Sequence, residues 1–200
     1  MYNTNNYKVH FSLYYELERY CREVDINLKN IDDEFHSRKI KLKEQKEEAS
    51  RQKDFHEESY DQHYYDPDLI EIEIAKNDRL VLQLKDVFSK FECSLRELVI
   101  RFSSVEDMKQ YKRKYSSLSN IQVYKQFVTD RQNINLSEVE PLWDKIDKCR
   151  TDVRCVYEHE GNNFIKSSEE LKNDITEMKK AVFGYLDYLM KQLYKSEAKN

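Results

Sequence analysis

Chain breakers are almost missing from this sequence, which holds two glycines and two prolines in 200 residues. So few interruptions leave little to stop long helices. Long apolar runs are missing as well. None reaches the roughly 20 residues that a membrane-spanning helix needs, and the opening MYNTNNYKVH has no apolar signal-peptide core. A cytoplasmic chain with no membrane partner is expected. Nor is there an excess of basic charge: 34 Lys and Arg face 38 Asp and Glu, for a net charge of −4. With a pI near 5.8, the composition excludes the broad nucleic-acid affinity of a basic surface, though not a cleft that is basic only locally. The four cysteines, Cys21, Cys93, Cys149 and Cys155, form no CxxC pair. Each sits inside a helical pattern, so they read as reduced and mostly buried thiols.

What the chain has in quantity is charge, 36% of its residues, giving a mean hydropathy of −0.93. A 39% hydrophobic fraction with 15 Tyr and 9 Phe still supplies a core. An all-α protein with elongated helices is expected. Leu13, Leu17, Tyr20, Val24, Ile31 and Phe35 trace a near-heptad seam. Beyond Phe35 the seam thins to Leu42, Ala49 and Phe55 while charge rises, so residues 36–66 read as a charged helical arm. Such an arm is solvated, or forms one side of an equally polar antiparallel hairpin, or makes a coiled-coil contact with a partner or second copy. Asp66-Pro67 supplies the N-cap and first-turn residues of a new helix. The alternation of Ile70, Ile72 and Ile74 is assigned to that helix, because no partner strand is visible. With the arm, a compact core at residues 67–195 makes one domain over residues 1–200.

The clearest stripe is Leu80, Leu84, Val87, Phe91, Leu95, Leu98 and Phe102, a core helix. Glu92 and Glu97 on it face either a cleft or, as is commoner for carboxylates, water. Ser104 caps a short helix in which Lys109, Lys112, Arg113 and Lys114 interleave with Tyr111 and Tyr115. That pattern suits single-stranded nucleic acid, through phosphate contacts and base stacking. It equally suits a surface helix that buries its tyrosines. After a second short helix at residues 118–128, Ser137 with Glu140 and Ser167 with Glu170 have capping-box spacing and predict two more helix starts. The last helix runs on Leu171, Ile175, Met178, Val182, Tyr185, Leu189 and Leu193.

Candidate chemistry concentrates in DVRCVYEHEGNNF, Asp152 to Phe164, where Arg154 precedes His159 by five positions. A guanidinium pairs with phosphate oxygens and an imidazole titrates near neutral pH, so the two together can bind a phosphodiester and move its protons. Spacing alone is weak: about one Arg-x4–6-His arises by chance in a chain of this composition, and Arg51 to His56 is a second copy. Context separates them. Arg154 follows the apolar face Leu142, Ile146, Cys149 and Val153, continued at Val156, and precedes the helix-ending Gly161-Asn162-Asn163. Arg51 and His56 lie in a charged run with few apolar anchors. Five positions turn a regular helix about 140° past a full circle. Arg154 and His159 therefore converge only if the helix ends near Glu158, or if a second protomer supplies the partner residue. His56 and His63, seven apart with Glu57 and Asp61 nearby, are a loose metal-ligand spacing that solvated side chains on a charged helix also produce.

The segment WDKIDKCRTDVRCVYEHEGNNF from Trp143, with the earlier helix FSKFECSLREL from Phe88 to Leu98, is similar to the HEPN superfamily, over about residues 78–195. The resemblance implies an all-α, HEPN-like helical bundle, here with a long charged extension between the first and second core helices. It implies a metal-independent endoribonuclease of the kind found in toxin–antitoxin and phage-defence systems. Arg154 and His159 would be the catalytic pair, and no cofactor is implied. RNA would be the substrate, a homodimer would build the site, and an antitoxin or nucleotidyltransferase would be a further partner. One departure is Cys155, where the family often has a polar residue after the arginine. The alternative reading is a non-catalytic helical or coiled-coil interaction module that recognises its partner through the charged arm.

Overall fold

The computed structural model of the chain describes residues 4–52, 66–101, 105–158 and 166–197. Among them are six α-helices and no strand: α1 (Thr4–Gln52), α2 (Pro67–Arg101), α3 (Val105–Lys114), α4 (Asn120–Gln132), α5 (Glu140–Glu158) and α6 (Ser168–Glu197). The chain is an all-α bundle. None of these helices is long and apolar enough to cross a membrane.

α1 has 49 residues, about 74 Å at the helical rise, and its apolar seam holds it to the bundle. Leu13, Leu17, Val24, Leu28, Ile31 and Phe35 are buried, each contributing roughly 1.5–3 kcal/mol relative to exposure. Tyr20, half-buried on the same seam, donates to Asp86 at 2.6 Å. α2 lies antiparallel to α1. α6 packs on both, parallel to α2 and antiparallel to α1: Ser168 meets Asn77, Lys172 meets Asp32, and the Phe183 ring meets Tyr14 at 5.7 Å. Then α5 packs against α6 and α2, α4 against α2, and α3 against α4. The predicted stripes of α2 and α6 are the buried ones, from Leu80 to Leu98 and from Leu171 to Leu193; Phe102 and Ser104 lie outside the described residues.

The charged stretch does not begin a new element. α1 continues without a break through residues 36–52 and runs beside the start of α2 as one side of an antiparallel hairpin. Charge sets that pairing: Lys39 binds Glu73, Lys46 binds Asp66 and lies 3.2 Å from Asp68, and Lys76 lies 2.8 Å from Asp32. Among the described residues, the two helices run on as a pair beyond Ser168, where α6 begins. On that stretch Ile40, Leu69, Ile70 and Ile74 are exposed. Residues 53–65, with Phe55, lie outside the described residues.

Three predicted caps meet different fates. Asp66 caps α2, accepting the Asp68 N–H at 3.2 Å. Ser167 and Glu170 form their capping box, at 2.7 Å and 3.3 Å. The Ser137–Glu140 box is absent. Ser137 heads a 3₁₀ turn, Ser137–Val139, and its N–H is taken by Asn135 Oδ1 at 3.0 Å. Glu140 is drawn instead to Lys125 on α4, at 2.5 Å. A cap not singled out from the sequence starts α4, where Gln122 Oε1 accepts from both the N–H and the hydroxyl of Ser119 at 3.0 Å. α4 ends at Asn133, whose left-handed φ of 51° is a conformation Asn tolerates. The cysteine expectation also needs correction: Cys93 is exposed, Cys21 and Cys149 are half-buried, and all three are free thiols. Cys93 falls on the outer face of α2, because the adjacent Phe91, Ser94 and Leu95 take the inner one.

Candidate functional site

α5 carries the motif and is anchored at its first turns. Trp143 is buried edge-on against Phe91 at 6.3 Å and beside Tyr185 at 5.4 Å. Lys125 sits 4.6 Å over its ring. Gly184 of α6 faces this region: a Cβ there would lie 3.0 Å from Leu142 Cδ1, so the missing side chain lets α5 and α6 approach closely. Ile146, fully buried, continues the apolar face predicted for the helix.

Arg154 falls within α5, one helical turn after Arg150. The side chains of residues 153–158, Cys155 included, and all of 159–165, with His159, Gly161, Asn162 and Asn163, lie outside the described residues. The chance copy of the motif is partly described: Arg51 is exposed on α1, 4.0 Å from Glu47. His56 and His63 lie outside the described residues, among which no group of three or more His, Cys, Asp or Glu could hold a metal ion.

One turn before Arg154 the helix borders a cleft of about 570 Å³ between α2, the start of α4, α5 and α6. Its apolar walls are Leu84, Phe88, Leu118, Ile121 and Met178, and its polar rim includes Lys85, Glu92, Ser119, Asn120 and Arg150. A chain of hydrogen bonds stiffens that rim. Lys112 Nζ donates to Asn120 Oδ1 at 3.1 Å, and Asn120 Nδ2 donates to Glu92 Oε1 at 3.0 Å. Arg150, mostly buried, is held by Asp147 through Nε at 3.0 Å and Nη2 at 2.9 Å. Lys85 makes no ion pair among the described residues. Lys85, Lys112 and Arg150 thus outnumber Glu92 and Asp147, a local basic excess in an acidic chain.

Cys149 and Met178 separate this cleft from a smaller one, about 240 Å³, between α5 and α6. There Lys166 donates to Asp174 at 2.5 Å. Burial works against the Lys166 charge, yet the Asp174 hydrogen bond and field, with Asp152, leave its pKa raised. Burial also pushes the Cys149 thiol up to about 11, Asp174 adding to the effect, so it stays protonated near neutral pH and is no nucleophile there.

The two carboxylates singled out on α2 divide. Glu92 lines the cleft, while Glu97 is exposed on α2. Tyr111 of α3 and Tyr115, just past its end, make contacts within the chain. Tyr111 is buried, bonds Asp130, and packs on Phe127 at 5.2 Å and Tyr115 at 4.7 Å. Lys114 lies 5.0 Å over the Tyr115 ring. Tyr111 is thus turned into the core, as the other reading had it, while Tyr115 is half-buried. What remains from α3 is Lys112, which reaches the cleft rim through Asn120.

Arg150 was within reach of sequence reasoning, since it precedes Arg154 by four. Lys85 and Asn120 carry no local signal; they meet because α2 and α4 pack together. In comparisons with known proteins, no family model, no curated protein and no solved structure matches this chain.

Proposed function

We propose that the chain is a HEPN-like, metal-independent endoribonuclease, the toxin component of a toxin–antitoxin or phage-defence system. The observation that carries the reading is the register of α5: Arg154 follows Arg150 by one turn, and Arg150 lines a locally basic cleft. In this mechanism an RNA 2′-hydroxyl attacks the adjacent phosphorus. His159 takes the hydroxyl proton or delivers one to the departing 5′-oxygen, and Arg154 pairs with the non-bridging oxygens as their charge grows. The P–O5′ bond breaks, leaving a 2′,3′-cyclic phosphate and a 5′-hydroxyl. A second protomer supplies the opposing Arg154 and His159 across a two-fold axis.

The test is cleavage of a labelled RNA pool, with chelator present, by wild-type, Arg154→Ala and His159→Ala proteins. Chelator-resistant cleavage with cyclic-phosphate ends, lost in both variants, is the expected result. Equal background in all three would overturn it. A second reading, a non-catalytic interaction module, is favoured by the exposed Ile40, Leu69, Ile70 and Ile74 on the α1–α2 pair beyond Ser168. It gains if the variants keep a partner-binding activity while no RNA is cut.

A further inference from the structure

The long helix α1 has two unlike sides. Val24, Leu28, Ile31 and Phe35 face the bundle and are buried. Opposite them, among the described residues, lie the exposed large apolar side chains of the helix, Tyr15, Ile26 and Ile40. At about 100° of turn per residue these three fall within about 40° of one another. The bundle does not use this side: α2 and α6 meet the other one, through Tyr20 with Asp86 and Asp32 with Lys172.

The exposed face also reads in mirror order about Asp33. Ile26 and Ile40 stand equally far from it on either side, as do Arg22 and Glu44, Arg19 and Glu47, and Tyr15 and Arg51. All of these positions are exposed. A two-fold axis at Asp33 therefore sets each against its counterpart on an antiparallel second copy. Ile26 meets Ile40, Arg22 meets Glu44, Arg19 meets Glu47, and Arg51 reaches the Tyr15 ring. Lys29 of each copy comes within one turn of the other's Asp33, so charges of both signs gather at the axis. A parallel pair would instead set Arg22 against Arg22 and Glu44 against Glu44. Within the chain Arg22 lies 3.8 Å from Glu18 and Arg19 lies 3.4 Å from Glu23. Such exposed pairs hold their members weakly and leave them free to exchange partners.

We propose that the outer face of α1 is an antiparallel interface between two copies of this chain, centred on Asp33 and about 54 Å long from Tyr15 to Arg51. It is not the two-fold of the ribonuclease reading, which runs through α5; that helix packs on α2 and α6. The interface does not rest on that reading, and where both hold the chain is a tetramer.

Sedimentation equilibrium of the full chain reads the association. Arg22→Glu and Glu44→Arg each place two like-charge pairs across the axis, and each should weaken it at least about tenfold. An equimolar mixture of the two variants restores opposite charges at both pairs and should recover wild-type association, which a folding defect would not do. Unchanged association in either single variant, no recovery on mixing, or a monomer at every concentration would overturn the interface. RNA cleavage measured on the same samples keeps the two readings apart. Weakened association with no RNA cut in any sample leaves the interface and removes the ribonuclease. Cleavage beside unchanged association in Arg22→Glu removes the interface and leaves the ribonuclease.

Discussion

The Ser168 hydroxyl donates to Asn77 Oδ1 at 2.6 Å, with Glu73 Oε2 3.0 Å away, tying the first turn of α6 to the outer half of α2. Asn77 is buried, so losing its donor leaves a polar atom without a partner. Ser168→Ala should destabilise the fold by about 1 kcal/mol or slightly more. Urea denaturation checks it: a lower midpoint with an unchanged slope is expected. An unmoved midpoint would mean that the contact does not hold the start of α6.

Asp32 joins the three long helices, with Oδ1 2.8 Å from Lys76 and Oδ2 2.7 Å from Lys172. Burial pushes its pKa up, but hydrogen bonds from both ammonium groups outweigh burial and leave it below the usual carboxylate range. A depressed folded pKa means that the stabilisation is complete above the unfolded value of about 3.9 and fades as pH falls through the folded one. Asp32→Asn should therefore cost about 1 kcal/mol near neutrality, after solvent screening of a carboxylate this exposed. The two thermal midpoints should converge as pH drops below about 4. A gap independent of pH would assign the loss to something other than charge.

Tyr185 is buried among Phe91 and Trp143, yet among the described residues its hydroxyl has no hydrogen-bond partner. Burial raises its pKa, with the nearby Glu140 adding to the shift. Removing an unsatisfied buried hydroxyl relieves a desolvation penalty, so Tyr185→Phe should raise stability by about 1 kcal/mol. A drop in melting temperature instead would reveal a bridging water.

The thiols should react in a fixed order. Cys93 is exposed, whereas burial raises the pKa of Cys21 and pushes that of Cys149 up to about 11. Iodoacetamide near neutral pH should alkylate Cys93 more than about tenfold faster than Cys149, because the thiolate is the nucleophile. Peptide mass mapping reads each site separately and keeps Cys155 apart. Comparable rates would show that the wall between the two clefts opens in solution.

Much of this fold is legible in local pattern. The seams of α1, α2 and α6 fall where periodicity puts them, because a 3.6-residue repeat assigns each side chain to a face before any partner is known. Asp66 and the Ser167–Glu170 pair behave as their spacing predicts, since a cap is completed within four residues. Ser137 shows where locality ends: its spacing to Glu140 is right, but Lys125, fifteen residues earlier, takes the carboxylate. In the same way Asp130 and Phe127 of α4, not the order of residues in α3, decide that Tyr111 faces inward.

The sequence by itself determined the helical class, the buried faces and the segment carrying Arg154 and His159, all properties of short windows. Tertiary structure alone decided that the charged stretch pairs with the start of α2. It alone brought Lys85, Glu92, Asn120 and Arg150 around one cleft. The physical reason is that helix offset and packing angle set which side chains meet across helices, and both arise from the summed fit of whole surfaces.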